Sequence, residues 1–341
     1  MVDLSIGTPF DPPPALVEAA LADVGAARSY PPSVGTPAYR EAAAGWVARR
    51  FDAEVDASQV AACLGTKELV AGLPHWLRLR TPSLDTVLYP EISYPTYAMG
   101  ATLAGCRAVP VPVDDRWRIR LDAIDPRDAE RALCLWVNTP GNPAGGLDDL
   151  EAAAVWGRER GVPVLSDECY AEFTWSGPPR SILQHSVDGV LAVHSLSKRS
   201  NLAGARIGFY AGDGELVEYL SELRKHAGFM VPGPVQAAGA LAWADDAHVE
   251  VQRAVYRERL EALVEGLRAG GLPAEMPDGA FYLWLAAPGG DAWGLAARLA
   301  DETGILVSPG EFYGPAGVGH VRIAAVQPVD AIARALRALA T

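Results

Sequence analysis

The sequence is poor in positive charge, and in lysine above all. Its 341 residues include 29 Lys and Arg against 42 Asp and Glu, which gives a formal net charge of −13 at pH 7. Only Lys67, Lys198 and Lys225 are lysines. Nucleic acids and anionic membranes bind basic surfaces. We therefore expect neither as a partner.

Cysteine, long apolar runs and targeting signals are also scarce. The four cysteines, Cys63, Cys106, Cys134 and Cys169, show no C-x-x-C spacing, so we expect neither a disulfide framework nor a metal site. No apolar run is long enough to span a bilayer, and the first residues lack the basic and apolar segments of a signal peptide. These features predict a cytoplasmic protein with reduced thiols.

The rest of the composition is that of an ordinary soluble protein, and the chain is longer than a typical domain with a single core. Half of the residues are hydrophobic and 21% are charged, and this length favours two domains. Between residues 60 and 212, short β-rich runs alternate with helical patterns, which predicts an α/β fold with a mainly parallel sheet. The predicted strands are Val60–Leu64, Thr86–Tyr89, Cys106–Val111, Ala132–Val137, Pro163–Asp167, Gly189–Ser195 and Ile207–Ala211.

Helical patterns separate these strands and continue after them. Lys67–Arg80 and Leu150–Arg160 are predicted helices, the second with Asp148 or Asp149 as its cap. The Pro-Gly-Pro at 232–234 ends the region. Beyond it, long helical patterns (Val235–Asp246, Val249–Ala269) and short strands (Phe281–Leu285, Ile305–Ser308, His320–Ala324) predict a smaller α+β domain. We expect a large domain over 36–234 and a small domain formed by 1–35 and 235–341.

Lys198 lies in the run from Ser195 to Gly208, which reads SLSKRSNLAGARIG. A lysine amine can attack an aldehyde to form an imine and can later move a proton. Arginine cannot replace it, because its guanidinium stays protonated. In a sequence that otherwise prefers arginine, a lysine in such a motif indicates chemistry.

This run resembles the signature of the class I/II aminotransferases, which bind pyridoxal 5′-phosphate and have fold type I. The resemblance covers nearly the whole chain and implies an α/β large domain that binds the cofactor beside a smaller domain. It also implies that Lys198 holds the cofactor covalently. Lys67 and Lys225 are the rival lysines.

The resemblance assigns three further residues to the cofactor ring. Asp167, in the run SDECY at 166–170, is similar to the carboxylate that pairs with the pyridine nitrogen and makes the ring an electron sink. Tyr170 and Asn142, the latter in NTPGNPAG at 138–145, are similar to residues that donate to the ring oxygen. A helix-capping Asp and a plain Asn-Pro turn are the alternative interpretations.

The phosphate end is expected where a strand leads into a helix. The positive end of a helix dipole and its free N–H groups suit a phosphate. The remaining cofactor residues implied by the resemblance are Gly65, Thr66, Lys67, Ser195, Ser197 and Arg206 at the phosphate, Tyr94 stacked on the ring, and Tyr30 reaching the phosphate of a neighbouring subunit. Tyr30 thereby implies a homodimer. Tyr94 could instead be a core aromatic.

The resemblance also implies a substrate and a reaction. Arg322 is similar to the arginine that binds the α-carboxylate, with Gly7 and Asn142 beside it. The motifs are most similar to N-succinyldiaminopimelate aminotransferases of lysine biosynthesis, which transfer an amino group from glutamate to N-succinyl-2-amino-6-oxopimelate. Arg28, Lys67 and Arg199 are then candidates for its distal carboxylates.

Two alternatives stay open. The same cofactor machinery could carry out elimination or replacement at the β or γ carbon of an amino acid, and the segment from Leu4 follows a shorter leader than in similar enzymes. A non-catalytic binding protein with this fold is the second alternative. His194, beside Ser195, is interpreted as a strand-end residue and not as part of a catalytic triad.

Overall fold

A seven-stranded sheet in the strand order β2-β8-β7-β6-β5-β3-β4 forms the centre of the computed structural model, which describes residues 1–339. Strand β8 is antiparallel to its neighbours, and the other neighbouring pairs are parallel. The strands are β1 (Val2–Asp3), β2 (Val60–Cys63), β3 (Thr86–Pro90), β4 (Arg107–Val111), β5 (Ala132–Asn138), β6 (Val164–Asp167), β7 (Val190–Ser195), β8 (Gly208–Gly212), β9 (Tyr282–Ala286), β10 (Ile305–Leu306), β11 (Ser308–Pro309) and β12 (His320–Ala324).

Helices cover the sheet, and local capping explains where several of them begin and end. The Asp149 side chain accepts from the Ala152 N–H at the start of α6, which ends at Gly161 with a φ of 64°. The α-helices are α1 (Glu18–Leu21), α2 (Pro37–Phe51), α3 (Thr66–Arg80), α4 (Thr96–Leu103), α5 (Pro126–Ala129), α6 (Leu150–Arg160), α7 (Leu196–Arg199), α8 (Gly214–His226), α9 (Gly233–Ala244), α10 (Ala247–Ala269), α11 (Ala292–Thr303) and α12 (Val329–Leu336).

The predicted α/β architecture is confirmed, and all seven predicted strands of the large sheet are present within two residues of the expected bounds. The predicted strand Ile305–Ser308 divides instead into β10 and β11, which pair with different partners. The cause is a change of partner at Val307, which periodicity cannot reveal. No helix within residues 1–339 is both long and apolar enough to cross a membrane.

The strand register brings the polar ends of β5, β6 and β7 to one edge. Asn138 is opposite Asp167, and Asp167 is opposite Val193 in the next strand. Ser195, the last residue of β7, is opposite Gly208 of the antiparallel strand β8. The carboxyl ends of parallel strands are where α/β sheets bind ligands.

We propose that a second domain lies over this edge. It contains the antiparallel sheet β11-β12-β9 and the parallel pair β1-β10. Its core includes Leu4, Tyr256, Leu263, Phe281 and Ile332, so the first residues of the chain and helices α10 and α12 both belong to it.

The packing of α9 does not follow the expected domain division. Trp243 on α9 and Val17 are buried in the same cluster as Trp46 of α2, in the core of the large sheet. The expected division had placed 15–27 and 235–244 in the small domain. We propose that the boundary falls at Asp245, between α9 and α10. Both helices have an apolar face, and the sequence does not say which core each face contacts.

A buried ion pair supports the turn between β2 and α3. Arg224 is 1% exposed, and its guanidinium donates to the Glu68 carboxylate at 2.8 and 2.6 Å. The rings of Trp76 and Phe229 lie 5.1 and 5.0 Å from the guanidinium carbon. Glu68 also accepts from the N–H of Leu64 at 2.9 Å. The pair therefore fixes the backbone just before Gly65.

We expect Arg224→Ala to lower the free energy of unfolding by about 3–5 kcal/mol, because Glu68 would keep a half-buried charge without its partner. Urea unfolding of the purified protein measures the change. Lys225→Ala is the matched control, since Lys225 is exposed and pairs with Glu222 at 3.2 Å; it should change stability by less than about 0.5 kcal/mol. Equal effects of the two substitutions would contradict the structural role of Arg224.

Candidate active site

A cleft of about 540 Å³ lies between the carboxyl ends of the large sheet and the small domain. Most of the residues predicted from the sequence meet there. Those that line it are Gly7, Thr66, Lys67, Tyr94, Asn142, Asp167, Tyr170, Ser195, Ser197, Lys198, Arg206 and Arg322.

Lys198 projects from the short helix α7. The Ser195 hydroxyl caps this helix by accepting from the N–H of Ser197 at 3.1 Å. The Lys198 Nζ donates to the carbonyl of Gly7, which belongs to the small-domain segment. Burial lowers the pKa of Lys198 to about 8, and the nearby guanidinium of Arg322 acts in the same direction. About a tenth of this amine is therefore unprotonated at pH 7, far more than for an ordinary lysine, and able to act as nucleophile or base.

The rival lysines do not have this environment. Lys225 is exposed and pairs with Glu222. Lys67 lies in the first turn of α3 and lines the cleft. Its Nζ is 5.9 Å from the centre of the Tyr94 ring.

Asp167 is buried at the end of β6. Its carboxylate accepts from the Tyr97 hydroxyl at 2.8 Å and from the Cys169 N–H at 3.2 Å. Burial raises the pKa of Asp167, and the two hydrogen bonds oppose that rise. Tyr97 itself is held by stacking on Trp136, with ring centres 5.0 Å apart. The carboxylate therefore has a fixed position at the floor of the cleft.

Asn138 connects this floor to the loop that carries Asn142. Its Nδ2 donates to the backbone carbonyl of Asp167 at 2.8 Å, and its Oδ1 accepts from the Asn142 N–H at 2.8 Å. The Asn142 Oδ1 in turn accepts from the Arg322 guanidinium at 2.8 Å. Its amide nitrogen is thereby the end of the Asn142 side chain available to donate to a ligand.

Arg322 lies on β12 and is 6% exposed. Its guanidinium carbon is 4.3 Å from the centre of the Tyr282 ring and 4.7 Å from that of Tyr313. A second nitrogen donates to the carbonyl of Ser5 at 2.6 Å. The Nε of Arg322 is buried without a partner among residues 1–339. A buried donor of this kind suits a carboxylate ligand.

Tyr170 and Tyr282 form a hydroxyl pair beside Lys198. Their oxygens are 2.8 Å apart, and burial raises the pKa of both phenols, so both remain protonated near neutral pH. A Cβ added at Gly7 would collide with the Tyr282 hydroxyl. Only glycine therefore allows the segment at Gly7 to lie this close to Tyr282.

The sequence predicts the phosphate site of the cofactor at the start of α3. Gly65 precedes α3 with a φ of 70°, and Arg206 follows the α7 segment with a φ of 54°. The Arg206 guanidinium lies where a Cβ at Gly65 would be, so glycine leaves the space for it. Gly65 itself is not a lining residue of the cleft. Thr66 and Lys67, at the first turn of α3, are.

Arg199 was a candidate for a distal substrate carboxylate, and the structure contradicts this. It is 2% exposed and does not line the cleft. Its guanidinium binds Glu172 at 3.2 Å and Asp246 at 2.8 Å, and its carbon lies 5.4 and 5.2 Å from the centres of the Trp46 and Trp243 rings. The residue after Lys198 in the helix points away from the cleft.

Two other predicted residues also lie outside the cleft of a single chain. Arg28 is exposed and Tyr30 is 95% exposed. Arg28 therefore does not line the cleft of its own chain. For Tyr30 the expectation concerned a neighbouring subunit, and it stays a prediction.

His194 is a strand-end residue, as expected. Its ring is 1% exposed and packs against Trp46 and Phe51, with its Nε2 3.2 Å from Glu168. Ser195 bonds to the N–H of Ser197 rather than to this ring. The pair is not a nucleophilic serine and its base.

Several residues of the cleft or of its support are not predicted from the sequence. Tyr97, which supports Asp167 without lining the cleft, follows Tyr94 by three residues in the first turn of α4, and this spacing is a usable signal. Asn138 ends a predicted strand in the same run as Asn142. Tyr282 and Phe312 carry no comparable signal, because the small-domain fold alone brings them to Lys198.

Comparison with known proteins identifies the family of this chain. The family model for aminotransferase class I and II matches residues 1–339. This chain belongs to that family. Members of the family depend on pyridoxal phosphate.

Individual relatives cover almost all of the chain. The 4-dedimethylamino-4-oxo-anhydrotetracycline transaminase OxyQ of Streptomyces rimosus is 44% identical over 98% of this chain and 92% of its own. The LL-diaminopimelate aminotransferase of Aquifex aeolicus is 36% identical over 98% of this chain and 89% of its own. The solved structure of a probable N-succinyldiaminopimelate aminotransferase from Thermus thermophilus superposes with a TM-score of 0.90 at 31% identity, covering 100% of this chain and 94% of the other.

The residues of the cleft fit the family's cofactor. A buried carboxylate that pairs with no Lys or Arg among residues 1–339 suits a protonated ring nitrogen, and an amine with a lowered pKa suits covalent attachment. We propose that Asp167, Lys198, Tyr94 and Arg206 hold this aminotransferase's cofactor, as the sequence predicted.

Tyr97→Phe tests the support of Asp167. Loss of the hydroxyl removes a bond to the ionised carboxylate, so the pKa of Asp167 should rise further and less of it should be ionised at a given pH. We expect the holoenzyme's half-reaction with an amino acid to slow by about tenfold, equivalent to about 1.4 kcal/mol, with the acidic limb of its pH profile moved upward. Stopped-flow absorbance measures this.

Tyr89→Phe is the control, since Tyr89 lies on β3 outside the cleft lining. An unchanged pH profile in Tyr97→Phe, with cofactor bound, would mean that Tyr97 only packs against Trp136.

Proposed function

We propose that this aminotransferase moves an amino group from glutamate to the oxo carbon of a second carboxylate substrate. One observation carries the proposal. The Lys198 amine, the Asp167 carboxylate and the Arg322 guanidinium line the same cleft, although they come from α7, β6 and β12. This arrangement provides a base, a ring-nitrogen partner and a carboxylate site together.

In the proposed mechanism Arg322 orients the substrate. Its buried Nε is free to donate to an α-carboxylate, and the rings of Tyr282 and Tyr313 fix the plane of the guanidinium. Bound pyridoxal phosphate supplies an electron sink for the pair of electrons left at the substrate Cα. Lys198 Nζ takes the Cα proton, and the Gly7 carbonyl orients the amine for that transfer.

The same cleft residues would also fit a different reaction of the cofactor. Elimination or replacement at the β or γ carbon is the alternative activity, and it would use the same Lys198 and Asp167. The family membership and the relatives named above favour transamination. We also propose that the enzyme acts as a cytoplasmic homodimer.

The acceptor expected from the sequence is N-succinyl-2-amino-6-oxopimelate, in lysine biosynthesis. Similarity to the Thermus thermophilus structure supports it. Its distal carboxylates need cations, however, and of the three candidates only Lys67 lines the cleft. OxyQ, whose name specifies a 4-oxo-anhydrotetracycline, is a relative with a different kind of acceptor.

Glutamate should convert the visible absorption of the holoenzyme to that of its amino form, with one 2-oxoglutarate released per site. Borohydride reduction before glutamate should place the label on Lys198, and Lys198→Ala should lose both signals. Lys225→Ala is the control and should retain both. If glutamate leaves the spectrum unchanged while another amino acid yields ammonia, elimination replaces transamination; a label on Lys67 would exclude the lysine assignment.

Mixing two impaired variants tests the shared site. Tyr30→Phe should weaken phosphate binding in the neighbouring subunit, and Lys198→Ala removes the amine. A mixture should regain up to about a quarter of wild-type activity, because random exchange makes half of the dimers mixed, and one of their two sites is intact. No recovery, despite mixed dimers seen by native mass spectrometry, would place Tyr30 outside the partner's site.

A further inference from the structure

The outer part of the cleft is apolar where a large acceptor would extend. Ile6 and Phe312 line the cleft and are 62% and 52% exposed. Trp293 is 56% exposed, and its ring meets that of Phe312 edge to face at 5.9 Å. We call Ile6, Trp293 and Phe312 the rim. Large apolar side chains exposed together beside a pocket indicate a binding surface.

The cations of the cleft leave little charge for this outer part. Among residues 1–339 the lining contains Lys67, Lys198, Arg206 and Arg322 as its only Lys and Arg side chains. Lys198 and Arg206 serve the cofactor and Arg322 the α-carboxylate in the proposed function. Within one chain Lys67 alone remains, and it suffices for the γ-carboxylate of glutamate. An acceptor with two distal carboxylates would leave one of them without a partner from the same chain.

The rim also carries a negative charge. Glu311 precedes Phe312 in the chain and is exposed, and its carboxylate accepts from the Trp293 Nε1 at 2.9 Å. A carboxylate held beside the mouth repels an acceptor with distal negative charge and does not disturb an uncharged one. Aromatic edges and faces, by contrast, offer favourable contacts to a ring.

We propose that the acceptor is a 2-oxo acid whose distal part is apolar and preferably aromatic, and that this part packs on Ile6 and Phe312. The inference rests on the proposed transamination. Glutamate and the oxo acid give 2-oxoglutarate and the corresponding amino acid, so the amino group and two electrons pass from one carbon skeleton to the other without a further reactant. Lys67 binds the γ-carboxylate of glutamate in the first half-reaction. The rim contacts the apolar part of the acceptor in the second.

Single-turnover reaction of the enzyme's amino form with two probes tests this. Phenylpyruvate and 2-oxoglutarate share the 2-oxo acid group and differ in the distal part. We expect Phe312→Ala to lower the ratio of kcat/KM for phenylpyruvate to that for 2-oxoglutarate by about tenfold, from the loss of ring contact. Glu311→Gln should lower this ratio too, by improving the dicarboxylate. Val318→Ala, an exposed apolar residue outside the lining, is the control.

The outcomes separate this inference from the proposed function. If neither probe accepts an amino group and glutamate leaves the spectrum unchanged, the proposed transamination is wrong. If N-succinyl-2-amino-6-oxopimelate reacts well and phenylpyruvate does not, transamination stands and the apolar acceptor is overturned. If Phe312→Ala weakens dimer formation by light scattering but leaves the ratio unchanged, a second copy of the chain covers the rim, and the proposal is again overturned.

Discussion

The arrangement of the cleft depends on one buried carboxylate that has no Lys or Arg partner. Asp167 makes no ion pair with any Lys or Arg among residues 1–339, and burial raises its pKa. An isolated charge in such a position is costly, so the protein holds it with neutral donors from Tyr97 and Cys169. A ring nitrogen that carries a proton is the group this position fits, and the surrounding contacts serve to keep the carboxylate in place for it.

Much of the large domain could be predicted because its signals are local. Strand and helix alternation determines a parallel sheet, and the polar residues after β5, β6 and β7 must then meet at one edge. The carboxylate, the lysine and the loop asparagine follow from that rule together with the family resemblance. Asp149 as the cap of α6 is likewise a local signal.

The small domain could not be predicted to the same depth, because its contacts join distant parts of the chain. Arg322 reaches Asn142 across 180 residues, and Lys198 reaches the carbonyl of Gly7 across 191. Tyr282 contacts Arg322 only because β9 and β12 pair in one register, in which Arg322 is opposite Trp284. A sequence pattern gives the strands but not which of their faces meets the large domain.

Arg199 shows how sequence proximity misleads at a site. It follows Lys198, yet the helix turns the two side chains to opposite sides. Its guanidinium donates to the carbonyls of Ala242 and Asp245 and to the Asp246 carboxylate, which together form the junction between α9 and α10. The residue next to Lys198 in the chain thus contacts the proposed domain boundary. Arg199 therefore connects α7, which carries Lys198, to the proposed boundary at Asp245. It does so from outside the cleft, which it does not line.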